Sequence, residues 1–271
     1  MSHILTSLHG NRLGLDKDSN LVIPVGQKIG PNGAQVDSPS GSRLAFFDDF
    51  LAAVINIFWT LTKGSDVGCA VYAIAPGLAN GEAVGSTGAS ATGTEAVNGT
   101  SITSGLNYLV HPQTTTVKPC DIVAEARFEV SAITNINVFF GFTDNIALEA
   151  PVIGSGVADG ITTNATNAVG FLFDTSMTTK KLWLVGVATD VDAAKQDTGI
   201  ALVAGTMITL RVEVDQNSNA RFFINGAPVG QIMAAAVTAN VLLTPVLNAF
   251  TKTAASATVN VDYINVSGQR S

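Results

Sequence analysis

Apolar and polar residues alternate most clearly in the stretch ITLRVEVDQNSNARFFINGAPVG, residues 208–230. From Ile208 to Val214 every second residue is apolar, which is the period of a strand with one buried face and one solvent-facing face. A polar turn follows at Asp215–Asn219, and then the alternation resumes. Asn225-Gly226 is a dipeptide that accepts positive φ at both central positions of a tight hairpin turn. The pattern predicts an antiparallel meander.

Two other segments show strand patterns of different kinds. In Ile122–Val130 one face is apolar and the other is largely charged, so we expect one face to meet solvent. Ile136–Phe142, INVFFGF, is apolar on both faces, which is typical of a strand that is covered twice. Further strands are predicted at Val169–Phe173, Lys181–Val187, Ala201–Val203, Leu242–Phe250 and Thr258–Val266. Many short strands separated by turns predict an all-β sandwich or jelly roll.

The first 43 residues differ from the rest of the chain. Glycines and prolines interrupt short apolar runs such as LVIPV, so this segment cannot form a core of its own, yet it is too apolar for a solvated tail. We predict an extended N-terminal arm, residues 1–43, that docks on its own domain or on a neighbouring subunit. A β-sandwich domain, residues 44–271, follows it. Within this domain we interpret Phe50–Leu61 as buried core and residues 76–105 as long loops with at most one short strand.

The charge of the chain limits its partners. The formal net charge is −7 at pH 7, and Lys180-Lys181 is the only adjacent basic pair. This argues against a nucleic-acid surface, which needs clustered Lys and Arg. Only 13% of the residues are charged, against about 25% in typical domains. Such a surface is typical of proteins packed against other subunits, and also of extracellular β-sandwiches.

We expect neither a secretory signal nor a membrane span. Residues 1–12 lack a basic region followed by an apolar core. The most apolar run, Phe50–Leu61, is shorter than the ~20 residues that a spanning helix needs. Cys69 and Cys120 are therefore predicted to stay reduced, with a disulfide between them as the alternative.

Several short motifs follow one another in an order that resembles a known class of sandwich. They are FFDDF at 46–50, FFGFTD at 139–144, GFLFD at 170–174, the meander with FFING, and VDYINVSGQR at 261–270. The order is similar to that of concanavalin A-like lectin/glucanase jelly rolls, and most similar to tailed-bacteriophage virion proteins of that class. The resemblance covers roughly residues 44–270. It implies a concanavalin A-like jelly roll and a role in the virion, as a capsid decoration (cement) or head-fibre protein.

A jelly roll of this class could also hydrolyse glycosides, a reaction that uses two facing carboxylates. The glucanases of the resembled class place Glu, Asp and Glu at alternate positions of one strand. Glu125 and Glu129 are the nearest candidates here, but Arg127 occupies the middle position. Surface ion pairing is the preferred interpretation. No catalytic residue is assigned, and the protein is predicted not to be an enzyme.

Metal binding and sugar binding have their own candidates. One is a possible calcium loop at 190–197, but Ala194 and Lys195 interrupt it and a solvated loop is preferred, so no metal or cofactor is expected. Asp144 and Asn145 are predicted to cap a turn. The aspartates of the loop are Asp190, Asp192 and Asp197. For the aromatic residues Trp59, Trp183 and Tyr263, core packing is preferred over stacking on sugars. The histidines His3, His9 and His111 lie far from any acid or nucleophile motif.

We therefore predict a structural virion protein of a tailed phage that decorates and cements the capsid exterior. Its partners would be the phage major capsid protein and copies of itself, with no nucleic acid or membrane. The protein would be made in the host cytoplasm and located on the capsid surface. The predicted capsid contacts are Leu13, Leu15, Leu21 and Ile23. The alternatives are a glycan-binding module of a head or tail fibre that recognises host-surface glycans, and a glycoside hydrolase-like enzyme.

Overall fold

A computed structural model describes residues 4–6, 12–15, 21–22, 27–29, 35–37, 43–51, 54–75, 81–104, 108–110, 120–147, 152–155 and 160–269. The strands in the first half of the chain are β1 (Ile4–Thr6), β2 (Arg12–Leu15), β3 (Leu21–Val22), β4 (Gln27–Ile29), β5 (Gln35–Asp37), β6 (Arg43–Asp48), β7 (Trp59–Lys63), β8 (Ala70–Ile74), β9 (Ala83–Ser86), β10 (Gly99–Ser104), β11 (Tyr108–Val110) and β12 (Ile122–Val130). The strands in the second half are β13 (Ile136–Thr143), β14 (Ile153–Ser155), β15 (Ile161–Thr163), β16 (Asn167–Asp174), β17 (Leu182–Ala188), β18 (Val191–Asp192), β19 (Gln196–Asp197), β20 (Ile208–Val214), β21 (Ala220–Ile224), β22 (Ala227–Met233), β23 (Val241–Thr251) and β24 (Thr258–Gln269). A one-turn helix, α1 (Glu95–Asn98), precedes β10.

The strands form two antiparallel sheets that pack against each other. Sheet A has the order β1-β2-β3-β4-β5-β6-β24-β12-β20-β21-β22, and β9 joins β24 to β8. Sheet B has the order β18-β17-β16-β13-β23-β10-β7, with β11 on β23 and β19 on β17, and β14 and β15 form a separate hairpin. The predicted all-β, antiparallel β-sandwich is confirmed.

Sheet A has one buried face and one face open to solvent. Along β12 and β20 every second residue is buried, and the residues between them are half-buried or exposed. The buried residues, such as Phe128 and Val212, join the main core between the sheets. The other side of sheet A, which we call the open face, carries the charged side chains of β12 and β20. The alternation of the sequence therefore predicted both faces of these strands.

The hairpin turn between β21 and β22 is the predicted one. Asn225 and Gly226 have φ values of 50° and 80°. The Asn225 side chain accepts a hydrogen bond from the Thr209 amide at 2.9 Å. The chain reverses within two residues because both of them tolerate positive φ.

The central strands of sheet B are covered on both faces. Every residue of β13 and β16 is buried, as the apolar run INVFFGF predicted. Phe140 and Phe171 point into the main core, whereas Phe139 and Leu172 lie on the outer side. The outer side packs into a second core, which also includes Val152, Ile153, Ala165, Met177, Val185 and Val187. The β14–β15 region thus closes the outer face of sheet B.

The N-terminal strands continue sheet A beyond β6. Strands β1 to β5 pair in sequence, and Val36 of β5 lies opposite Leu44 of β6. Leu13 and Leu15 lie on β2 and Leu21 on β3, where Leu15 is opposite Leu21. Ile23 lies outside the described residues. The docking role of residues 1–43 stays a prediction.

The interpretation of Phe50–Leu61 as buried core is wrong for most of the segment. Phe50 and Trp59 are buried, but Val54 is exposed and Ile57 is 94% exposed. The cause is Asp48 at the end of β6, whose carboxylate accepts hydrogen bonds from the Phe50 amide at 2.9 Å and from Trp59 Nε1 at 2.8 Å. These bonds fix both ends of the loop against the core. Between them Ile55 packs partly against the core, whereas Val54, Ile57 and Phe58 are exposed.

Other expectations meet mixed results. Residues 76–105 contain β9, β10 and α1 rather than loops with one strand at most. Ala201–Val203 is not a strand, and left-handed glycines stand on either side of it, Gly199 at φ 74° and Gly205 at φ 65°. Cys69 and Cys120 are both buried, and neither is in a disulfide, as predicted. Among the described residues, no helix is long and apolar enough to cross a membrane.

Candidate functional site

A row of five side chains crosses the open face of sheet A from strand to strand. Phe47 of β6 lies opposite Asn265 of β24, which lies opposite Glu125 of β12. Glu125 lies opposite Arg211 of β20, and Arg211 lies opposite Phe223 of β21. Four strand spacings of about 4.8 Å make this row about 19 Å long. We call these five residues the cross-strand row: it has an aromatic ring at each end and hydrogen-bonding groups between them.

One end of the cross-strand row is an aromatic platform. The ring of Phe47 is 59% exposed. Its centroid lies 5.7 Å from that of Tyr263, and the two rings are inclined by 36°. The Tyr263 hydroxyl donates a hydrogen bond to Glu125 Oε1 at 2.8 Å. The platform is therefore held against the carboxylate at the centre of the row.

A β-bulge puts Tyr263 in this position. Arg127 pairs with Tyr263, but the next residue, Phe128, pairs with Val261, so Asp262 is an extra residue in β24. Both Asp262 and Tyr263 are half-buried on the open side, and Asp262 Oδ2 lies 2.5 Å from Arg127 Nη1. Bulges re-aim side chains in this way and are common beside functional sites.

The other end of the cross-strand row combines a cation with an aromatic ring. The Arg211 guanidinium lies 5.0 Å from the centroid of the Phe223 ring and is ion-paired with Glu213. A shallow groove of about 230 Å³ opens beside this pair. Its polar lining comes from Asp121, Arg211, Glu213, Asp215, Asn219 and Arg221. This end therefore offers both charged groups and one half-buried ring face.

Burial and neighbouring charges on the open face raise the pKa of the Tyr263 hydroxyl and of the Glu82 carboxyl group. Burial, and then the hydrogen bond to Glu125, raise the pKa of Tyr263 to about 12, so this hydroxyl remains a donor at neutral pH. Burial, followed by the charges of Glu129 and Asp262, raises the pKa of Glu82, while the charge of Arg127 opposes the change. The face thus presents carboxylate acceptors together with fixed donors.

Glu125 and Glu129 lie on the same face of β12, four residues apart, with Arg127 between them. This is the spacing of the two glutamates in the glucanase pattern, but Arg127 stands where that pattern has its aspartate. Each has its own partner: Glu125 accepts from Tyr263, and Glu129 accepts from Asn260 Nδ2 at 3.0 Å. Arg127 is ion-paired with Asp262 of β24 rather than with either glutamate, so the predicted surface pairing of Glu125 and Glu129 is wrong in its partners.

The aspartates considered for calcium lie at the β18 and β19 edge of sheet B. Asp197 accepts a hydrogen bond from the Gly199 amide at 2.8 Å and lies 3.5 Å from Lys181 Nζ. Across the described ranges, no three His, Cys, Asp or Glu side chains are grouped in a way that could hold a metal ion. Asn145 accepts from the Ala147 amide at 3.0 Å, which confirms its predicted turn-capping role.

Of the three aromatic candidates, only Tyr263 lies on the open face. Trp59 is buried, and Trp183 packs against the second core with Lys195 Nζ 5.2 Å from its ring centroid. The preference for core packing was thus wrong for Tyr263, because the bulge turns it outward. The sequence-based search missed Phe47, Asn265 and Phe223 altogether. The three histidines lie outside the described residues.

The comparisons with known proteins identify the fold. No protein-family model and no curated protein matches the sequence. Among solved structures, peanut lectin matches with a TM-score of 0.54 at 12% identity, over 84% of this chain and 99% of that chain. The carbohydrate recognition domain of Emp47p matches with 0.52 at 10% identity, over 82% and 93%. A β-glucanase from Bacillus licheniformis matches with 0.52 at 12% identity, over 82% and 97%. The chain has the concanavalin A-like jelly roll of lectins and glycoside hydrolases.

One prediction is overturned by these matches. The compared structures include the Bacillus licheniformis β-glucanase and a family 16 endo-glucanase from Bacteroides ovatus, the latter with a TM-score of 0.52 at 11% identity. The prediction that the protein is not an enzyme is wrong, because known enzymes have this fold. The fold therefore leaves enzymatic activity possible. At these identities the likeness shows the fold alone. It lends no support to a phage origin or a capsid role.

Proposed function

We propose that the protein is a glycan-binding module and that the cross-strand row on the open face of sheet A holds an extended oligosaccharide. The observation that carries this proposal is the row itself: Phe47 at one end, Phe223 at the other, and Asn265, Glu125 and Arg211 between them. The lectin-like fold supports it.

The chemistry of the row suits a sugar. One face of a pyranose ring is lined by C–H groups, which pack on aromatic rings, and its hydroxyls both donate and accept hydrogen bonds. Phe47 and Phe223 supply the aromatic surfaces, and Asn265 supplies a donor and an acceptor. Glu125 accepts, and a hydrogen bond to a charged group is stronger than one to a neutral group. A glycan lying across the strands would meet these groups in turn.

A glycan array followed by calorimetry with β-glucan oligosaccharides of increasing length tests the proposal. We expect affinity to rise with length until the glycan spans the row. Phe47→Ala and Phe223→Ala should each lower the affinity for long oligosaccharides about tenfold or more, and Val67→Ala should leave it unchanged. Val67 is 99% exposed and lies away from the open face, between β7 and β8. Equal affinities for all four proteins would contradict the proposed site.

The same titrations distinguish binding from hydrolysis. Reducing ends are measured after long incubation with each oligosaccharide that binds. Stable oligosaccharides support a binding module. Cleavage that is lost in Glu125→Gln would instead identify the open face as the active site of a hydrolase.

A second candidate is the structural virion protein predicted from the resemblance, with residues 1–43 as the docking arm and the phage major capsid protein as partner. What supports it is an exposed apolar loop after β6, consisting of Leu51, Val54, Ile57 and Phe58. Clustered apolar side chains on a surface are typical of protein contacts. Deletion of residues 1–40 should abolish binding to phage capsids while the sandwich remains folded. Undiminished capsid binding would refute the arm.

A further inference from the structure

A buried carboxyl group joins α1 to the outer face of sheet B. Glu95, the first residue of α1, is 1% exposed, and Asn248 of β23 is 2% exposed. Asn248 Nδ2 donates a hydrogen bond to Glu95 Oε1 at 2.6 Å. Asn248 lies opposite Ser101 of β10, so α1 covers the β10–β23 pairing.

The second oxygen of each group is buried without a partner. Neither Glu95 Oε2 nor Asn248 Oδ1 has a hydrogen-bond partner among the described residues. An ionised Glu95 would leave two acceptors unpaired in the interior, which is costly. A proton on Oε2 turns that oxygen into a donor. A protonated Oε2 is the kind of donor that Asn248 Oδ1 lacks, and a bond between them would close a two-bond ring of acid and amide.

We propose that Glu95 is held in its protonated form and that its acid–amide ring with Asn248 is a pH-sensitive latch, which keeps residues 87–99 on sheet B and releases them as pH rises. On release, solvent reaches Asn248 and Ser101. This inference is independent of the proposed glycan site, which lies on the other sheet.

Among the residues that the structure describes, none supplies Glu95 with a positive charge that would stabilise its ionised form. Strands β10 and β23, which pack against α1, contain no titratable residue. Beyond them, Lys252 is paired with Asp174, and Lys63 Nζ donates to Cys69 O at 3.1 Å. Asp66 accepts from the Gly68 amide at 2.8 Å. Cys69 Sγ donates to Val97 O at 3.2 Å, and burial raises the pKa of this thiol.

Loss of the proton from Glu95 weakens the latch. Burial raises its pKa from 4.5 to about 8, although the hydrogen bond from Asn248 lowers it. Because the folded pKa lies above the unfolded one, the stabilisation is fully present below about pH 4.5 and is lost as pH rises to about 8. Each pH unit in this window changes the closed-to-open ratio by up to about tenfold.

The rest of the segment makes contacts that do not titrate in this window. Asn98 Nδ2 donates to Ser90 O at 2.8 Å and to Thr251 O at 3.1 Å. The Thr251 hydroxyl donates to Gly88 O at 2.6 Å. These bonds persist at every pH in this window, so deprotonation of Glu95 makes local opening of the segment more frequent and leaves the rest of the sandwich folded.

Hydrogen exchange read by mass spectrometry between pH 5 and 9.5 tests the latch, with rates corrected for intrinsic exchange. In the wild-type protein we expect the protection of residues 87–99 to fall at least tenfold between pH 5 and about pH 8 and to level off above it, while that of β13 stays constant. Glu95→Gln keeps the same ring, because its amide donates to Asn248 Oδ1, and should hold the segment closed at every pH. Glu95→Ala should open it at every pH.

The same pH dependence in wild type and Glu95→Gln would overturn the proposal. A second measurement needs no variant. The infrared spectrum of the wild-type protein at pH 7 should contain the carbonyl band of a protonated, buried carboxyl group, and that band should disappear with a midpoint near pH 8. Absence of the band at pH 7 would equally overturn it.

Discussion

The outer faces of the two sheets carry polar side chains in different settings. On sheet A, residues such as Glu125, Arg127 and Tyr263 stand half-buried or exposed over an apolar inner row. On sheet B the outer side chains are covered by the β14–β15 region and by α1. Two carboxyl groups on this side, Asp174 of β16 and Glu95 of α1, are almost completely buried.

This difference separates two uses of polar groups in one sandwich. On sheet A the polar groups meet solvent, so they are free to exchange water for a ligand at little cost in folding free energy. Under the cover of sheet B a polar group has lost its water and must find a partner within the protein. We therefore assign recognition to sheet A and stability to the outer face of sheet B.

The largest expected contrast is between two phenylalanines. Phe139→Ala removes a fully buried ring from the second core and should lower the free energy of unfolding by about 3 to 5 kcal/mol. Phe47→Ala removes a mostly exposed ring and should change it by no more than about 0.5 kcal/mol. Urea unfolding of both variants measures the difference. Similar losses would show that the open face is covered in solution.

An intermediate contrast comes from two ion pairs. Asp174, fully buried, accepts from Lys252, from the Ser176 amide at 2.8 Å and from Asn137 Nδ2 at 2.8 Å. Asp174→Ala should cost about 3 kcal/mol, since it leaves the lysine without its buried partner. Arg127→Ala, which breaks the exposed pair with Asp262, should cost at most about 1 kcal/mol.

The pH dependence of stability sharpens the same contrast. Burial raises the pKa of Asp174, but the hydrogen bonds from Lys252, Ser176 and Asn137 outweigh it and lower the pKa from 3.8. Its contribution is therefore present above about pH 3.8 and is lost as pH falls through the lower folded value. Unfolding followed from pH 5 to pH 2 should show this loss in wild type and not in Asp174→Ala.

The smallest expected effect is that of Tyr263→Phe. The variant keeps the ring beside Phe47 and loses the hydrogen bonds that the hydroxyl makes with Glu125 and Thr209. We expect a loss of about 1 kcal/mol or less in stability, and a change in glycan affinity of about fivefold, measured by calorimetry. A stability loss of several kcal/mol would mean that Tyr263 belongs to the core.

Regular alternation explains why much of the fold was predictable from the sequence. The pattern of β12 and β20 identified their open faces, and INVFFGF identified a strand covered twice. The loop after β6 was not predictable in this way, because apolar content indicates burial only when the backbone continues in the strand. The hydrogen bonds of Asp48 end that strand, so Val54 and Ile57 are exposed.

The candidate site was harder to predict, because it depends on strand register. The cross-strand row joins residues from five strands, and no local pattern reports that alignment. The bulge did leave a signal: in VNVDYINV, residues 259–266, the apolar alternation breaks at Asp262-Tyr263 and resumes at Ile264. Glu95 gave no signal, since it lies in a Gly/Ala/Ser/Thr-rich stretch that resembles a loop.

The most direct test of the central claim is nuclear magnetic resonance titration of the labelled protein with an oligosaccharide that binds it. The account predicts that the amide shifts which change most belong to Phe47, Glu125, Arg211, Phe223 and Asn265, and that they change together with one dissociation constant. Shifts confined to the outer face of sheet B, or to the loops at the ends of the sandwich, would contradict it.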